Sequence, residues 1–112
     1  MIKLNIKPLS VNEVWQGKRF KTPKYKKYEK DVLLILPKIN DLKPPYCVYF
    51  EFGFSSTQSD IDNPLKPILD ILQKKYLIND KDIYELHVKK TIVKKGFEFI
   101  NFKIEWLKSK NR

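Results

Sequence analysis

The hydrophobic residues of the chain change their spacing several times, and each spacing predicts a different element. Near the N-terminus, Ile2, Leu4 and Ile6 alternate with polar residues, which is typical of a half-buried β-strand, and Pro8 ends it. From Tyr46 to Phe54 nearly every residue is apolar or aromatic. This segment predicts a strand at the centre of a sheet, with both of its faces covered.

Two other segments have a helical spacing. The first predicts a helix from Pro23 to Leu36, with Thr22 as its N-cap. Its inward stripe consists of Tyr25, Tyr28, Val32 and either Leu36 or Ile35. The second predicts a helix from Pro64 to Lys75, capped by Asp62 or Asn63. Its apolar stripe consists of Leu65, Ile68, Leu69 and Leu72.

The C-terminal third predicts a β-hairpin. A strand from Ile83 to Val93 is followed by a tight turn at Lys94–Gly96 and by a partner strand from Phe97 to Trp106. Residues 107–112 form a basic tail that is expected to be frayed. The element order is β-α-β-α-β-β, and 112 residues suit a single domain. We expect an α/β (α+β) fold in which two main helices pack on one mixed sheet of about four strands.

The charge of the chain is strongly positive. Lysine and arginine number 23 against 13 acids, which gives a net charge of +10 at pH 7. This excess favours a polyanionic partner, above all nucleic acid, although a lysine-rich surface that only keeps the protein solvated is the alternative. Cys47 is the only cysteine, so no disulfide forms within the chain, and no apolar run approaches the ~20 residues of a membrane span. We expect a cytoplasmic, nucleoid-associated protein with no membrane partner.

The segment from Ser10 to Thr22 combines two aromatic residues, Trp15 and Phe20, with several cations. Cations can contact phosphates while aromatic rings stack on bases. Alternatively, the two rings pin a surface loop to the core. The predicted DNA-contacting residues are Lys18, Arg19, Lys21, Lys24, Lys26 and Lys27. For the lysines of the first helix, a solvated helix face is the alternative.

The acidic residues crowd together between Ser59 and Ile83. Asp60 and Asp62 would project to the same side of an extended segment, so they can share one ion. Asp80 joins them if the turn before the next strand lies beside the exit of the central strand. Two or three carboxylates suffice for Mg²⁺, which prefers oxygen ligands and keeps several waters. Lys66 follows Asp62 by one helical turn and could neutralise charge that develops on a phosphate.

Each of these residues also has a purely structural interpretation. Asp62 and Asn63 could be helix caps. Lys66 and Asp70, at spacing i, i+4, could form a surface ion pair, and Asp80 and Asp82 could be ordinary turn acids. Their occurrence in one ordered cluster within a basic chain favours a metal site.

The same segment resembles the RusA family of Holliday-junction resolvases, small metal-dependent endonucleases often carried by phages and prophages. The family pattern D-x-D-N-x-x-K corresponds to D-I-D-N-P-L-K from Asp60 to Lys66. It is followed by an acid at Asp70 and by N-D-K-D-I-Y-E-L-H-V-K-K from Asn79. The stretch S-V-N-E-V-W-Q-G-K-R-F-K-T-P-K-Y-K-K-Y-E also resembles the opening of the family, so the likeness covers most of the chain.

The resemblance implies roles for particular residues. The implied catalytic residues are Asp60, Asp62, Lys66 and Asp80, of which the three aspartates bind the metal. It also implies Mg²⁺, with Mn²⁺ as a substitute and no small-molecule cofactor, and a homodimer that nicks opposed strands of a four-way junction. Asn79 stands where the family usually has an acid, so Asp80 serves alone or is helped by Asp82. Asp70 is a further candidate acid.

The expected function is therefore a Mg²⁺-dependent endodeoxyribonuclease that resolves Holliday junctions by paired symmetric nicks, in DNA recombination and repair. One alternative is a non-catalytic basic module that binds nucleic acid and whose acids only cap and turn. Another is a structural protein whose basic face docks an acidic partner.

Overall fold

Two helices packed on one face of a four-stranded mixed sheet form the body of the molecule. The computed structural model describes residues 1–17 and 20–108. Its strands are β1 (Ile2–Leu4), β2 (Trp15–Gln16), β3 (Phe20–Lys21), β4 (Tyr46–Phe54), β5 (Ile83–Ile92) and β6 (Phe99–Trp106). Its helices are α1 (Pro23–Ile35) and α2 (Leu65–Tyr76), with 3₁₀ turns at Val11–Glu13 and Asp80–Asp82. The predicted α+β class and the order of the main elements are confirmed.

The strand order of the main sheet is β1-β6-β4-β5, so β4 lies between its two long neighbours. It pairs with β5 in parallel and with β6 antiparallel. The predicted hairpin of β5 with β6 is therefore wrong, because the chain crosses over β4 between them. β4 is the most apolar strand, and a central position gives hydrogen-bond partners to both of its edges while burying its side chains.

One face of β4 builds the core. Its side chains there are Tyr46, Val48, Phe50, Phe52 and Phe54, all buried. They pack with the helices and with Leu4, Ile100 and Phe102 in one hydrophobic cluster. Along the described chain, no helix is long and apolar enough to cross a membrane.

The other face of β4, here called the open face, carries Cys47, Tyr49, Glu51 and Gly53. In the described residues it is covered by side chains of the neighbouring strands, and both helices belong to the core on the opposite side. Glu51 accepts hydrogen bonds from Thr91 Oγ1 (2.6 Å) and Asn101 Nδ2 (3.2 Å). At Gly53 an added Cβ would lie 2.4 Å from the Phe99 ring, so the ring occupies the space that a side chain would need. The prediction that both faces of β4 are covered therefore holds for the open face only because side chains of the neighbouring strands cover it, and not because a helix packs on it.

Helix α1 begins where its sequence signals place it. Thr22 is the N-cap and its Oγ1 accepts the Tyr25 N–H at 3.0 Å. The buried stripe is Tyr25, Tyr28, Val32 and Leu36, whereas Ile35 is 47% exposed. Between the two residues left open for the last position, the structure thus selects Leu36.

Helix α2 begins differently from the prediction. Pro64 occupies the N-cap position, and no side chain caps the helix. The proposed capping by Asp62 or Asn63 is therefore wrong. The buried stripe is Pro67, Ile68, Ile71 and Leu72. Pro67 is tolerated because it lies in the first turn, where few backbone donors are used.

Removing the Thr22 hydroxyl is expected to lower the free energy of unfolding by about 1–2 kcal/mol, because the helix loses its N-cap. The same hydroxyl also donates to the Glu13 carbonyl oxygen at 2.6 Å. Thr22→Ala should shift the urea midpoint without changing the m-value. Thr57→Ala, in an exposed loop, is the matched control and should change stability by less than about 0.5 kcal/mol. Equal effects in both variants would contradict the role of the cap.

Candidate active site and nucleic-acid surface

The acidic residues predicted to share one metal lie at opposite ends of the sheet. β4 and β5 are parallel, with Tyr46 opposite Ile83 and Phe54 opposite Ile92. The start of β5 therefore lies beside the start of β4, roughly 25 Å from the end of β4 at a rise of about 3.3 Å per residue. Asp60 follows the end of β4, whereas Asp80 precedes the start of β5. Asp80 was expected to join Asp60 if the turn before β5 lay beside the exit of β4, and this turn instead lies beside the start of β4.

Helix α2 separates the same residues along its axis. Asp62 precedes the helix, and the Asp80 N–H donates to Gln73 Oε1 at 3.0 Å, near the other end of the helix. A rise of about 1.5 Å per residue places these two levels roughly 15 Å apart. In the described chain, no three carboxylates from the acidic segment have oxygens within 4.8 Å of one another.

Asp60 and Asp62 lie on a tight turn, here called the acidic turn (residues 60–64). The Asn63 N–H donates to the Asp60 carbonyl at 3.2 Å, and the Leu65 N–H to the Asp62 carbonyl at 3.0 Å. The segment is therefore not extended. The prediction that Asp60 and Asp62 project to the same side because they are at positions i and i+2 of an extended segment does not apply. Both side chains are exposed, and neither carboxylate forms an ion pair or a hydrogen bond within the described residues.

Lys66 lies in the first turn of α2 and pairs with Asp70 at 2.9 Å. Hydrogen bonding and charge attraction from Asp70, followed by the more distant charge of Asp80, raise the pKa of Lys66. Lys66 is exposed and Asp70 is only half-buried, so the pair contributes little to stability. The predicted surface pair is confirmed, and a catalytic role for Lys66 stays a prediction.

The 3₁₀ turn before β5 explains Asn79 without a metal. Its side-chain oxygen accepts the Lys81 N–H at 3.0 Å and caps the turn. An amide oxygen serves this purpose as well as a carboxylate does. Asp80 is exposed and Asp82 is half-buried in the same turn.

Lys90 is a residue near the acidic turn that the sequence analysis missed. Its ammonium donates to the carbonyl oxygens of Thr57 (3.0 Å) and Ser59, which fastens the loop before Asp60 to strand β5. Lys90 pairs in register with Phe52 and so lies on the core-facing side of β5, two residues beyond Val88. A lysine at an apolar position of an alternating strand was the available signal.

An aromatic hairpin follows the 3₁₀ turn at Val11–Glu13, which is hydrogen-bonded to the acidic turn. We give this name to the pair β2–β3 with its rings Trp15 and Phe20, which are 51% and 69% exposed. The alternative that these rings pin the loop to the core is wrong, since both rings are exposed and Val14 and Leu9 are buried instead. The Val11 N–H donates to the Asn63 carbonyl at 2.8 Å, which ties the segment to the acidic turn.

The predicted DNA-contacting cations differ in their surroundings. The Lys21 ammonium lies 5.5 Å from the Trp15 ring centroid and 4.5 Å from that of Tyr25. Lys24 pairs with Glu13, and this contact is the largest cause of the lowered pKa of Glu13. Lys27 pairs with Asp31 at 2.6 Å, whereas Lys26 is exposed. Lys18 and Arg19, the other two predicted contacts, lie outside the described residues.

No protein-family model matches the chain. No curated protein sequence is significantly similar to it either. The resemblance to the RusA family therefore stays a prediction that rests on the motif from Asp60 to Asp80 and on the N-terminal stretch.

Proposed function

We propose that the protein is a Mg²⁺-dependent endonuclease that nicks branched DNA at the acidic turn. The observation that carries the proposal is the placement of Asp60 and Asp62. Both carboxylates are exposed on one tight turn at the start of α2, in a chain of net charge +10, and the 3₁₀ turn before the aromatic hairpin is hydrogen-bonded to that turn. A basic surface attracts nucleic acid, and these two exposed acids are unusual on such a surface.

The donor set of the acidic turn suits Mg²⁺. This ion takes oxygen ligands, keeps several waters and is commonly held by one or two carboxylates together with substrate phosphates. Asp60 and Asp62 would hold it, and the three carboxylates including Asp80 do not lie within 4.8 Å of one another in this conformation. When bound, such an ion polarises a phosphodiester and lowers the pKa of an attacking water.

The start of α2 provides further groups for a phosphate. The Lys66 N–H has no helical partner at this end, and the positive end of the helix dipole favours an anion. The Lys66 ammonium, paired with Asp70, is charged at neutral pH and can neutralise charge on the leaving oxygen when it leaves this pair. Lys90 keeps the preceding loop in place.

The aromatic hairpin and the lysines of α1 bind the DNA. Trp15 and Phe20 present exposed rings on which unpaired bases at a junction can stack. Lys26 and Lys30 are exposed on α1 and can contact the phosphate backbone.

Resolution of a four-way junction needs two matched cuts, so the proposal includes a homodimer. A two-fold pair would present two acidic turns to a substrate that is itself nearly two-fold. Trp106 on β6, which is 48% exposed, is a candidate contact.

A non-catalytic nucleic-acid-binding module is the second candidate. It is favoured by the separation of Asp80 from the acidic turn and by the pairing of Lys66 with Asp70. In that case the aromatic hairpin and the lysines perform the function, and the acids only shape turns.

Incubation with an end-labelled four-way junction distinguishes the two candidates. We expect paired nicks in Mg²⁺ or Mn²⁺, no cleavage in excess chelator, and no cleavage of a linear duplex of the same sequence. Binding without cleavage in both metals would favour the non-catalytic module. Affinity should fall by about a thousandfold between 50 and 200 mM salt if about six phosphates are contacted. A salt-insensitive complex, or no binding, would favour the protein-docking alternative.

A further inference from the structure

Three potential metal ligands of different types converge on the open face, far from the acidic turn. Cys47 lies on β4, and its register partners are Glu85 on β5 and Glu105 on β6. His87 follows Glu85 by two residues, so both side chains leave β5 on the same side. Parallel pairing of β4 with β5 thus brings a thiol, a carboxylate and an imidazole together.

The distances are short. Cys47 Sγ lies 3.7 Å from Glu85 Oε1, and His87 Nε2 lies 3.2 Å from the same oxygen. All three ligand atoms are within 4.8 Å of one another, and in the described part of the chain no other three acid, histidine or cysteine side chains are so placed. The His87 ring stacks on Tyr49 with centroids 4.6 Å apart, which restricts the orientation of the imidazole.

We propose that Cys47, Glu85 and His87 bind a Zn²⁺ ion. Thiolate, imidazole and carboxylate are the ligands that Zn²⁺ takes in proteins, and their mutual separations fit an ion about 2.0–2.3 Å from each. Mg²⁺ prefers oxygen ligands and would not compete for the thiolate. A water would complete four-fold coordination.

An ordinary surface pair of Glu85 with His87 is the competing interpretation. It accounts for the contact between these two exposed side chains but not for the buried thiol beside them. Without an ion, burial and then the charges of Glu85 and Glu105 raise the pKa of Cys47, against a lowering contact from Tyr49. The thiol proton must therefore be released when the ion binds, as for other cysteine sites.

The ion would clamp the first residues of β5 to β4. Glu85 lies two residues after Ile83, where the 3₁₀ turn that carries Asp80 ends. The Zn²⁺ site would therefore stabilise the start of the edge strand and the turn before it. It does not depend on the proposed nuclease activity, because Asp60 and Asp62 lie at the other end of β4.

The chain contains one cysteine and one histidine, which makes the site easy to test. The reduced, metal-free protein is titrated with Co²⁺, and the thiolate-to-cobalt charge-transfer absorption in the near ultraviolet is recorded. We expect saturation at one ion per chain and loss of the absorption when Zn²⁺, but not excess Mg²⁺, is added. Cys47→Ser should abolish the absorption.

His87→Asn and Glu85→Gln should each weaken Co²⁺ and Zn²⁺ binding by at least about a hundredfold, the upper end of the loss seen for residues that only support ligands. Asp31→Asn, which removes an acid on α1, is the matched control and should bind like the unmodified protein. Because His87 and Glu85 are exposed, these variants keep the fold even if Cys47→Ser does not. Absence of the absorption, or undiminished affinity in both variants, would overturn the proposal.

Discussion

Asp62→Asn is expected to reduce cleavage of a four-way junction by about a hundredfold or more, with junction binding unchanged or slightly tighter. The substitution removes a carboxylate that would hold Mg²⁺, and loss of a ligand costs more than the 10–100-fold typical of supporting residues. Binding is spared because the change removes negative charge close to phosphates. Initial cleavage rates and a gel-shift titration measure the two effects, and Asp60→Asn should behave in the same way.

Two further isosteric variants sharpen this prediction. Asp41→Asn changes an exposed acid in the connection between α1 and β4 and should cleave normally. Asp80→Asn should cause a smaller loss than Asp62→Asn, because Asp80 acts on Lys66 only through its charge. Normal cleavage by Asp60→Asn and Asp62→Asn would contradict the proposed site. A loss in Asp80→Asn as large as in Asp62→Asn would show that the three acids converge when DNA is bound.

Phe52→Ala is expected to lower the free energy of unfolding by about 3–5 kcal/mol, a large part of the stability of a domain this small. Phe52 is a fully buried residue of β4, and its ring stacks on that of Phe50 with centroids 5.3 Å apart. Truncation loses the apolar contacts of the ring and leaves a cavity that two helices and a sheet cannot close. Urea denaturation followed by circular dichroism measures the change.

Phe97→Ala is the matched control for the core variant. Phe97 is 71% exposed, and its replacement should change stability by less than about 0.5 kcal/mol. A loss below about 1 kcal/mol in Phe52→Ala would mean that the core adapts to the smaller side chain, contrary to the close packing described.

The local features of the fold could be predicted because they depend on neighbouring residues. Thr22 and Pro23 mark the start of α1, and the apolar spacing identifies its buried face. The pairing of β6 with β4 could not be predicted, since Phe50 and Phe102 are 52 positions apart and tight-turn residues between β5 and β6 favoured the simpler hairpin. The pairing of β6 with β4 depends instead on the apolar strand β4, which is paired with a strand along both of its edges.

The candidate site shows the same division. Asp60 and Asp62 are two residues apart, so their presence in one short segment was known from the sequence, but the turn that they adopt in place of an extended segment was not predicted. The separation of Asp80 follows from topology, because a strand, a helix and a parallel strand place the entry and the exit of the helix at opposite ends of the sheet. The cluster at Cys47 needed the exact register of β4 with β5, which composition does not specify.

Strand β5 has consequences for the behaviour of the protein at high concentration. Among the described residues its outer edge pairs with no strand, and its ten residues present a row of unpaired backbone groups. Such an edge is a template on which another extended chain can add, and repeated addition produces fibrils. The exposed Lys89 acts as a gatekeeper, because each added copy would bring like charges together. Colloidal stability of this small domain thus depends on its lysines, and polyanions or high salt would weaken that protection.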